Sequence, residues 1–364
     1  MLSTMLKYNL TLVKGLFFEI TDIWEDKEYK VVILEEKDGI KTEVYSTMMK
    51  KNTWCKLNKR YLCNYLIEIW DGQELKSTID VIEHLKGKRV FITFESKSLG
   101  DTIAWIPYCL EFKNTYKCDV IVSSFINEMF ESVYPELEFV PRGSVVNNII
   151  GMFELGWWYH DDFEPVYPGI IPLQQAASNI LGLPFKEIKP RMAYTPKERP
   201  IKEKYIAIST RSTSQAKHWD YWQDLINYLI SKGYKVVEVS REGCDAQGLV
   251  EVPDRASEKL MNLIYHSEFF IGLGSGSSWL AWALKKQVVM ICNFSEEDHE
   301  FTSDCIRIVD KSICHGCWNK EMFKFDKGNW YWCPEHEHTD RQFECHKLIT
   351  ADRVIKEITS LIHT

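Results

Sequence analysis

The chain has 364 residues, of which 45% are apolar and 13% aromatic, enough to build two or three domains with cores of their own. A formal net charge of −8 argues against a general nucleic-acid binder, whose footprint is basic. No apolar stretch approaches the roughly 20 residues of a membrane span, and the start M-L-S-T-M-L-K-Y-N-L lacks the regions of a secretory signal, so a globular cytoplasmic protein is expected.

In chain order, residues 1–85 read as a β-rich domain. The runs Leu10–Val13, Gly15–Ile20, Tyr29–Leu34 and Lys41–Tyr45 are short strands, and Asp38-Gly39 is a hairpin turn between the last two. Tyr61–Trp70 adds a further apolar run, and the pattern suggests a small antiparallel sandwich or barrel. Near Gly87 the texture changes. Arg89–Phe94 is a buried-strand run, followed by a glycine turn, a helix over Asp101–Phe112, a strand over Cys118–Ser123 and a helix over Ile126–Val133. Alternating strands and helices predict a parallel α/β domain over 86–195. The Pro-rich, charged stretch Met192–Lys204 reads as an interdomain connection.

A second α/β domain is predicted over 196–364. Its strands are Tyr205–Ser209, Lys235–Val239, Phe269–Gly272, Val288–Cys292 and Ile306–Val309; its helices are Trp219–Ser231, Ser257–His266, Ser277–Lys285 and a final amphipathic Ala351–Ile362 capped by Thr350. Two α/β domains across a cleft are common among nucleotide-sugar transferases, although fold alone does not establish function.

Three loops at strand ends carry candidate chemistry. Ser98-Leu99-Gly100-Asp101-Thr102 follows the first strand of the first α/β domain, where open α/β sheets bind ligands. Two readings fit Asp101: a helix cap that satisfies free N–H groups, or a general base for an acceptor hydroxyl. The matching loop of the second domain holds Thr210, Arg211, Lys217 and His218, a set suited to a diphosphate or, equally, to a solvated basic loop. The third loop, Gly274-Ser275-Gly276-Ser277-Ser278, offers a glycine-rich turn and a helix N-terminus to phosphate. Its G-x-G-x-G spacing and late position disfavour a dinucleotide fingerprint. Trp105 and Gly156-Trp157-Trp158-Tyr159-His160 suit either walls for a sugar or acceptor, or core and subunit contacts.

Cys314, Cys317, Cys333 and Cys345 form a Cys-x2-Cys knuckle with two single cysteines in about thirty residues, which is metal-site spacing. Disulfides are the alternative. The other seven cysteines are scattered through apolar runs, as buried thiols are in a reducing compartment. A metal finger is placed at 311–348, with His315, His336, His338 and His346 beside it.

In the S-L-G-D-x5-P turn, the K-H-W loop, the G-x-G-S-G-x-S-W-L-A-W-A segment and the four-cysteine finger, the chain resembles the bacterial autotransporter heptosyltransferases. These are protein-modifying relatives of the lipopolysaccharide-core enzymes, which lack the finger. The resemblance implies a GT-B fold of two Rossmann-like domains and inverting transfer of heptose from ADP-heptose to serine hydroxyls of an autotransporter-type acceptor protein. It implies that Asp101 is the base, that Lys217 contacts phosphate, and that Ser275, Gly276 and Ser277 surround the diphosphate and ribose. It further implies one structural iron on the four cysteines, with zinc as the alternative, no catalytic metal, and a ring-like homo-oligomer of dodecamer size. Core heptosyltransferases have Asp-Thr-Gly where this chain has Gly274-Ser275-Gly276, so the contact made by that carboxylate is missing from the motif. Two rivals stand beside this reading: a GT-B transferase for another nucleotide sugar or a lipopolysaccharide or glycan acceptor, and a non-catalytic metal-finger interaction protein.

Overall fold

The computed structural model describes residues 6–323, 329 and 331–362. The first five residues, read above for a signal, and positions 324–328 and 330 of the finger lie outside the described residues, as do 363 and 364. The chain divides into two compact units. One comprises the chain up to Lys97, Trp105–Pro168 and Gln175–Lys186; the other comprises Ser98–Ala104, Gly169–Gln174 and the chain from Glu187 on.

In the first unit, β1 (Lys7–Val13) and β2 (Phe17–Asp22) form one hairpin, and β3 (Tyr29–Lys37) and β4 (Ile40–Met49) another. The second turns through Asp38 and Gly39, both at positive φ, as the sequence predicts. The strands β5 (Thr53–Lys56), β6 (Tyr65–Asp71) and β7 (Glu74–Asp80) follow. These strands do not make a self-contained sandwich. The order β4-β3-β6-β7 forms an antiparallel sheet, whereas β1, β2 and β5 join the α/β sheet. The reason is that β1 uses both edges: β2 pairs on one side and a strand some 140 residues downstream on the other.

That sheet is built from β8 (Arg89–Phe94), β9 (Asp119–Ser123), β10 (Glu138–Phe139) and β11 (Gly151–Leu155), in the order β10-β9-β8-β11-β1-β2-β5. The central strand β8 is buried almost end to end, as parallel strands covered on both faces are. Helix α1 (Leu99–Tyr116) follows β8. The predicted helix over 126–133 shrinks to a single turn, Asn127–Met129. Asn127 Oδ1 accepts from both the N–H and the hydroxyl of Ser124, a local alternative to helical bonding. Helix α2 (Leu173–Ile180) lies where no element was predicted. Trp105 is fully buried, with its ring packed on Phe94 and Trp157 at 6.3 and 6.1 Å. It is a core residue and not a sugar wall.

Glu164 is buried with neither carboxylate oxygen hydrogen-bonded to any described residue in good geometry, and burial raises its pKa to about 9. Only Asn179 offers a weak counterweight. The folded chain therefore holds this proton more tightly than the unfolded chain. The stability Glu164 contributes is complete below about pH 4.5 and is lost as pH rises towards about 9. Glu164→Gln is expected to flatten that decline and to raise stability at pH 8 by on the order of a few kcal/mol, measured by denaturant titration at several pH values.

The second unit contains β12 (Tyr205–Ile208), α3 (Trp222–Ser231), β13 (Lys235–Glu238), α4 (Ser257–His266), β14 (Phe270–Leu273), α5 (Gly276–Ala283), β15 (Val288–Ile291), β16 (Cys305–Ile308), α6 (Glu344–Lys347) and α7 (Ala351–Ile362). Its five strands are parallel in the order β13-β12-β14-β15-β16. Ile208, Leu225, Val236, Ile271, Val289 and Val354 lie in its core. Thr350 Oγ1 accepts from Arg353 N and caps α7 as predicted. The stretch 192–204 is not a free connection. Tyr194 OH and Lys197 N both donate to Asn262 Oδ1 on α4, which fastens the stretch to this unit.

Candidate functional site

Because β13 and β14 flank β12 on opposite sides, the strand order of the second sheet reverses between β12 and β14. In open α/β sheets such a switch point, at the carboxyl ends of the strands, is where ligands bind. Two of the predicted loops leave from it. Lys217 ends a short turn, Gln215–Lys217, and its Nζ donates to Gly274 O at 2.9 Å, 57 residues along the chain. The same ammonium lies 5.2 Å over the Phe294 ring. Ser275 is extended (φ −144°, ψ 169°) and α5 begins at Gly276, so the first-turn N–H groups of that helix open beside Lys217.

The remaining loop, at Ser98–Thr102, meets them through glycine contacts. A Cβ on Gly276 would stand 3.1 Å from both Gly100 N and Leu99 Cβ, and one on Gly100 would stand 3.2 Å from Trp279 Cδ1. The starts of α1 and α5 therefore touch. Asp101 is buried as the third residue of α1, with Ser98 at the position before the helix. The Thr102 hydroxyl is engaged by Ser98 O at 3.1 Å. Gln174, itself buried, donates to Ala104 O and to Ile188 O and steadies this first stretch of α1.

Beneath the glycine turn lies an ion pair that no sequence motif announces. Glu300 and Arg307 are almost fully buried and meet at 2.5 Å. Ser295 Oγ donates to both Glu300 oxygens, and Arg307 Nη2 reaches Ser295 O and Glu296 O. Burial alone would raise the Glu300 pKa, but Arg307, His299 and Lys217 together pull it down to about 2. His299, buried beside it with Nδ1 on Ile171 O at 3.0 Å, is held below its ordinary value chiefly by burial. A Cβ on Gly274 would come within 2.8 Å of Glu300 Oε1 and 2.9 Å of Cys292 Sγ. Glu300 thus fills the space that a side chain at 274 would take. Gly274→Ala is expected to destabilise the second unit by about 1–3 kcal/mol, since Arg307 holds the carboxylate that would have to yield; chemical denaturation followed by tryptophan fluorescence checks it.

Buried hydroxyls collect at the same strand ends. Ser209, Ser240 and Ser275 each bury a hydroxyl oxygen with no hydrogen-bond partner among the described residues, and Thr210 Oγ1 has no better neighbour than the Cys244 thiol. Such groups are rare without a ligand or water to satisfy them. The Thr210 and Ser240 N–H groups are organised by Glu238 at 3.1 and 2.7 Å. Two predicted contacts are committed elsewhere: Arg211 Nε donates to Gly243 O at 3.1 Å, and Ser278 Oγ donates to Leu273 O at 2.6 Å.

The four predicted cysteines, Cys314, Cys317, Cys333 and Cys345, border one small cavity of about 10 Å³, room for a single small particle. None is in a disulfide. Burial pushes the Cys317 thiol up to about 12 and that of Cys345 higher, with the neighbouring sulfurs adding to both. A cation among them reverses that penalty by favouring thiolates. A second donor set overlaps this one: ligand atoms of Cys314, Glu335 and His336 lie within 4.8 Å of one another. Its carboxylate also accepts from Lys320 Nζ at 3.0 Å. His346, buried next to Cys345, has neither ring nitrogen bonded to a described residue.

The model of glycosyltransferase family 9 (heptosyltransferase) matches residues 173–330. Over 352 residues the chain is 32% identical to the autotransporter heptosyltransferase Aah of Escherichia coli, covering 92% of this chain and 89% of that one. The chain belongs to the autotransporter heptosyltransferases. It is a glycosyltransferase with a GT-B-like mixed α/β fold. The crystal structure of the iron-containing dodecameric glycosyltransferase TibC from enterotoxigenic E. coli matches this enzyme with a TM-score of 0.83 at 29% identity, over 98% of this chain and 96% of that chain. TibC has also been solved in complex with ADP-D-β-D-heptose. A third relative, BimC of Burkholderia thailandensis, is 28% identical over 83% of this chain and 75% of its own length, and is described as inactive. Within this family, then, activity has to be argued from the site.

Proposed function

We propose that this enzyme transfers heptose from ADP-heptose to serine hydroxyls of an autotransporter-type acceptor protein, with inversion at the sugar. The observation that carries the reading is Lys217 Nζ meeting the Gly274 carbonyl at the switch point, beside the start of α5. A cation beside the start of a helix, whose first-turn N–H groups lack the carbonyls of a preceding turn, suits a departing diphosphate. The hydroxyls of Ser209, Ser240 and Ser275, without a partner among the described residues, suit the remainder of a nucleotide.

In the proposed step Asp101 takes the proton of the serine hydroxyl, the oxygen attacks the anomeric carbon, and the carbon–oxygen bond to phosphate breaks with its electron pair leaving on ADP. Lys217 and the N–H groups of α5 meet the charge that develops on the diphosphate, so that step requires no catalytic metal. Cys314, Cys317, Cys333 and Cys345 would hold one iron; there it would supply a cross-link that ties the finger together. Four thiolates suit zinc as well, and a visible thiolate-to-metal absorption band in the purified protein is the expected sign of iron. The reading extends to a homo-oligomer acting in the cytoplasm. No helix among the described residues is long and apolar enough to cross a membrane.

Mass spectrometry of a co-expressed acceptor tests the reaction: serine-linked mass increments of one heptose are expected, and an unmodified acceptor overturns the reading. Given the inactive relative, calorimetry with ADP separates enzyme from scaffold, because a scaffold shows no saturable binding.

A further inference from the structure

We propose that the thiol cluster, with its metal bound, sets the position of Lys217 through Ala216 and Phe294, so that metal occupancy and affinity for the diphosphate are coupled. This rests on the readings of Lys217 as a diphosphate ligand and of the four cysteines as a metal site.

The cavity that the cysteines line is closed on one side by Ala216, the residue before Lys217, and by Phe294, the ring beneath the Lys217 ammonium. Lys217 therefore adjoins two residues that line the cavity. Each of the walls they form is fastened to cysteines. On one side, α6 carries Cys345 and packs directly against the turn Gln215–Lys217. The continuation of that loop is tied to the residues following Cys345: Tyr221 OH donates to Lys347 O at 2.8 Å and Trp219 Nε1 to Ile349 O at 2.6 Å.

On the other side, the Cys-x2-Cys knuckle is stitched to the chain leaving β15. Gly316 N donates to Asn293 O at 2.8 Å, Trp318 N to Phe294 O at 3.1 Å, and Asn293 Nδ2 to Cys314 O at 3.1 Å. One wall thus answers to Cys345 and the other to Cys314 and Cys317. An ion bound to all four sulfurs fixes the distance between the walls, and with it the seat of the Lys217 side chain. Withdrawing the ion releases that distance. Ala216 and Phe294 are positioning residues here; neither is assigned to the reacting atoms.

Coupling of this kind is reciprocal, so ADP must tighten metal binding by the factor by which the metal tightens ADP binding. The test uses the full-length protein as purified with its metal. The metal is partitioned to equilibrium against a competing chelator with and without saturating ADP. Metal affinity about tenfold tighter with ADP is expected, within the range of roughly 5- to 150-fold usual for coupled sites. The same measurement on Phe294→Leu, at ADP concentrations that saturate it, is expected to lose most of that gain. A general stabilisation of the fold by ligand would survive this substitution. A metal affinity indifferent to bound ADP, or a gain undiminished in Phe294→Leu, overturns the proposal. The underlying readings fail in other ways and take it with them: absence of saturable ADP binding removes the assignment of Lys217, and protein purified without metal removes that of the cysteines.

Discussion

Asp101→Asn is expected to lower turnover by about 10²–10⁴-fold while leaving ADP affinity within about twofold of the original. The amide preserves the buried volume in the first turn of α1 but accepts no proton, and the proposed role of the carboxylate lies on the acceptor hydroxyl and not on the donor. Lys217→Ala has a different signature. It removes the cation that meets Gly274 O and that is proposed to face the departing diphosphate, so kcat/KM is expected to fall by about 10²–10³-fold and ADP to bind more weakly. Sugar-transfer kinetics on the acceptor protein, paired with ADP calorimetry, read both variants. Near-full activity in the two of them, with the fold intact, removes the site assignment.

The largest stability effect is expected at Arg307. Replacing it with Met strands the Glu300 carboxylate in a site where burial alone would raise its pKa, and loss of one partner of a buried pair costs about 3–5 kcal/mol. The double variant Glu300→Gln with Arg307→Met is expected to recover much of that loss, because no uncompensated charge remains. Denaturant unfolding followed by tryptophan fluorescence gives the comparison. Equal destabilisation in the single and double variants would mean that the charge pairing is not what matters. The pH dependence of the native pair runs opposite to that of Glu164. The Glu300 pKa is depressed, so its contribution is present above about pH 4.5 and is lost as pH falls towards about 2.

How far the sequence reaches depends on whether the signal is local. Helix α4 runs over Ser257–His266 and α7 over Ala351–Ile362, both as predicted, because strong apolar periodicity and end signals sit within a few residues of one another. The thiol cluster is legible from spacing alone. The division of the first seven strands between two sheets is not, since a short alternating run does not say which strand will lie beside it. Asn127 shows local chemistry overriding a helical pattern. At the site, each of the three loops announces itself by glycine, hydroxyl or cation. Their meeting does not, and neither do Glu300, Arg307 and Phe294, whose importance lies in contacts with residues distant in the chain. The one clue to Glu300 is negative: a glycine stands at 274, and the space its side chain would take is filled from 26 positions downstream.

The placement of β1 has a consequence for biosynthesis. Its outer register, Leu12 opposite Gly151 and Val13 opposite Met152, is completed only after the ribosome has made the intervening chain and released it from the exit tunnel. Until then the nascent hairpin of β1 and β2 presents an unpaired edge, the feature that invites strands of neighbouring polysomal chains to add on. Expression of fragments that stop short of Gly151 should therefore yield inclusion bodies, and slower translation through 95–150 should lower the soluble yield of the whole chain.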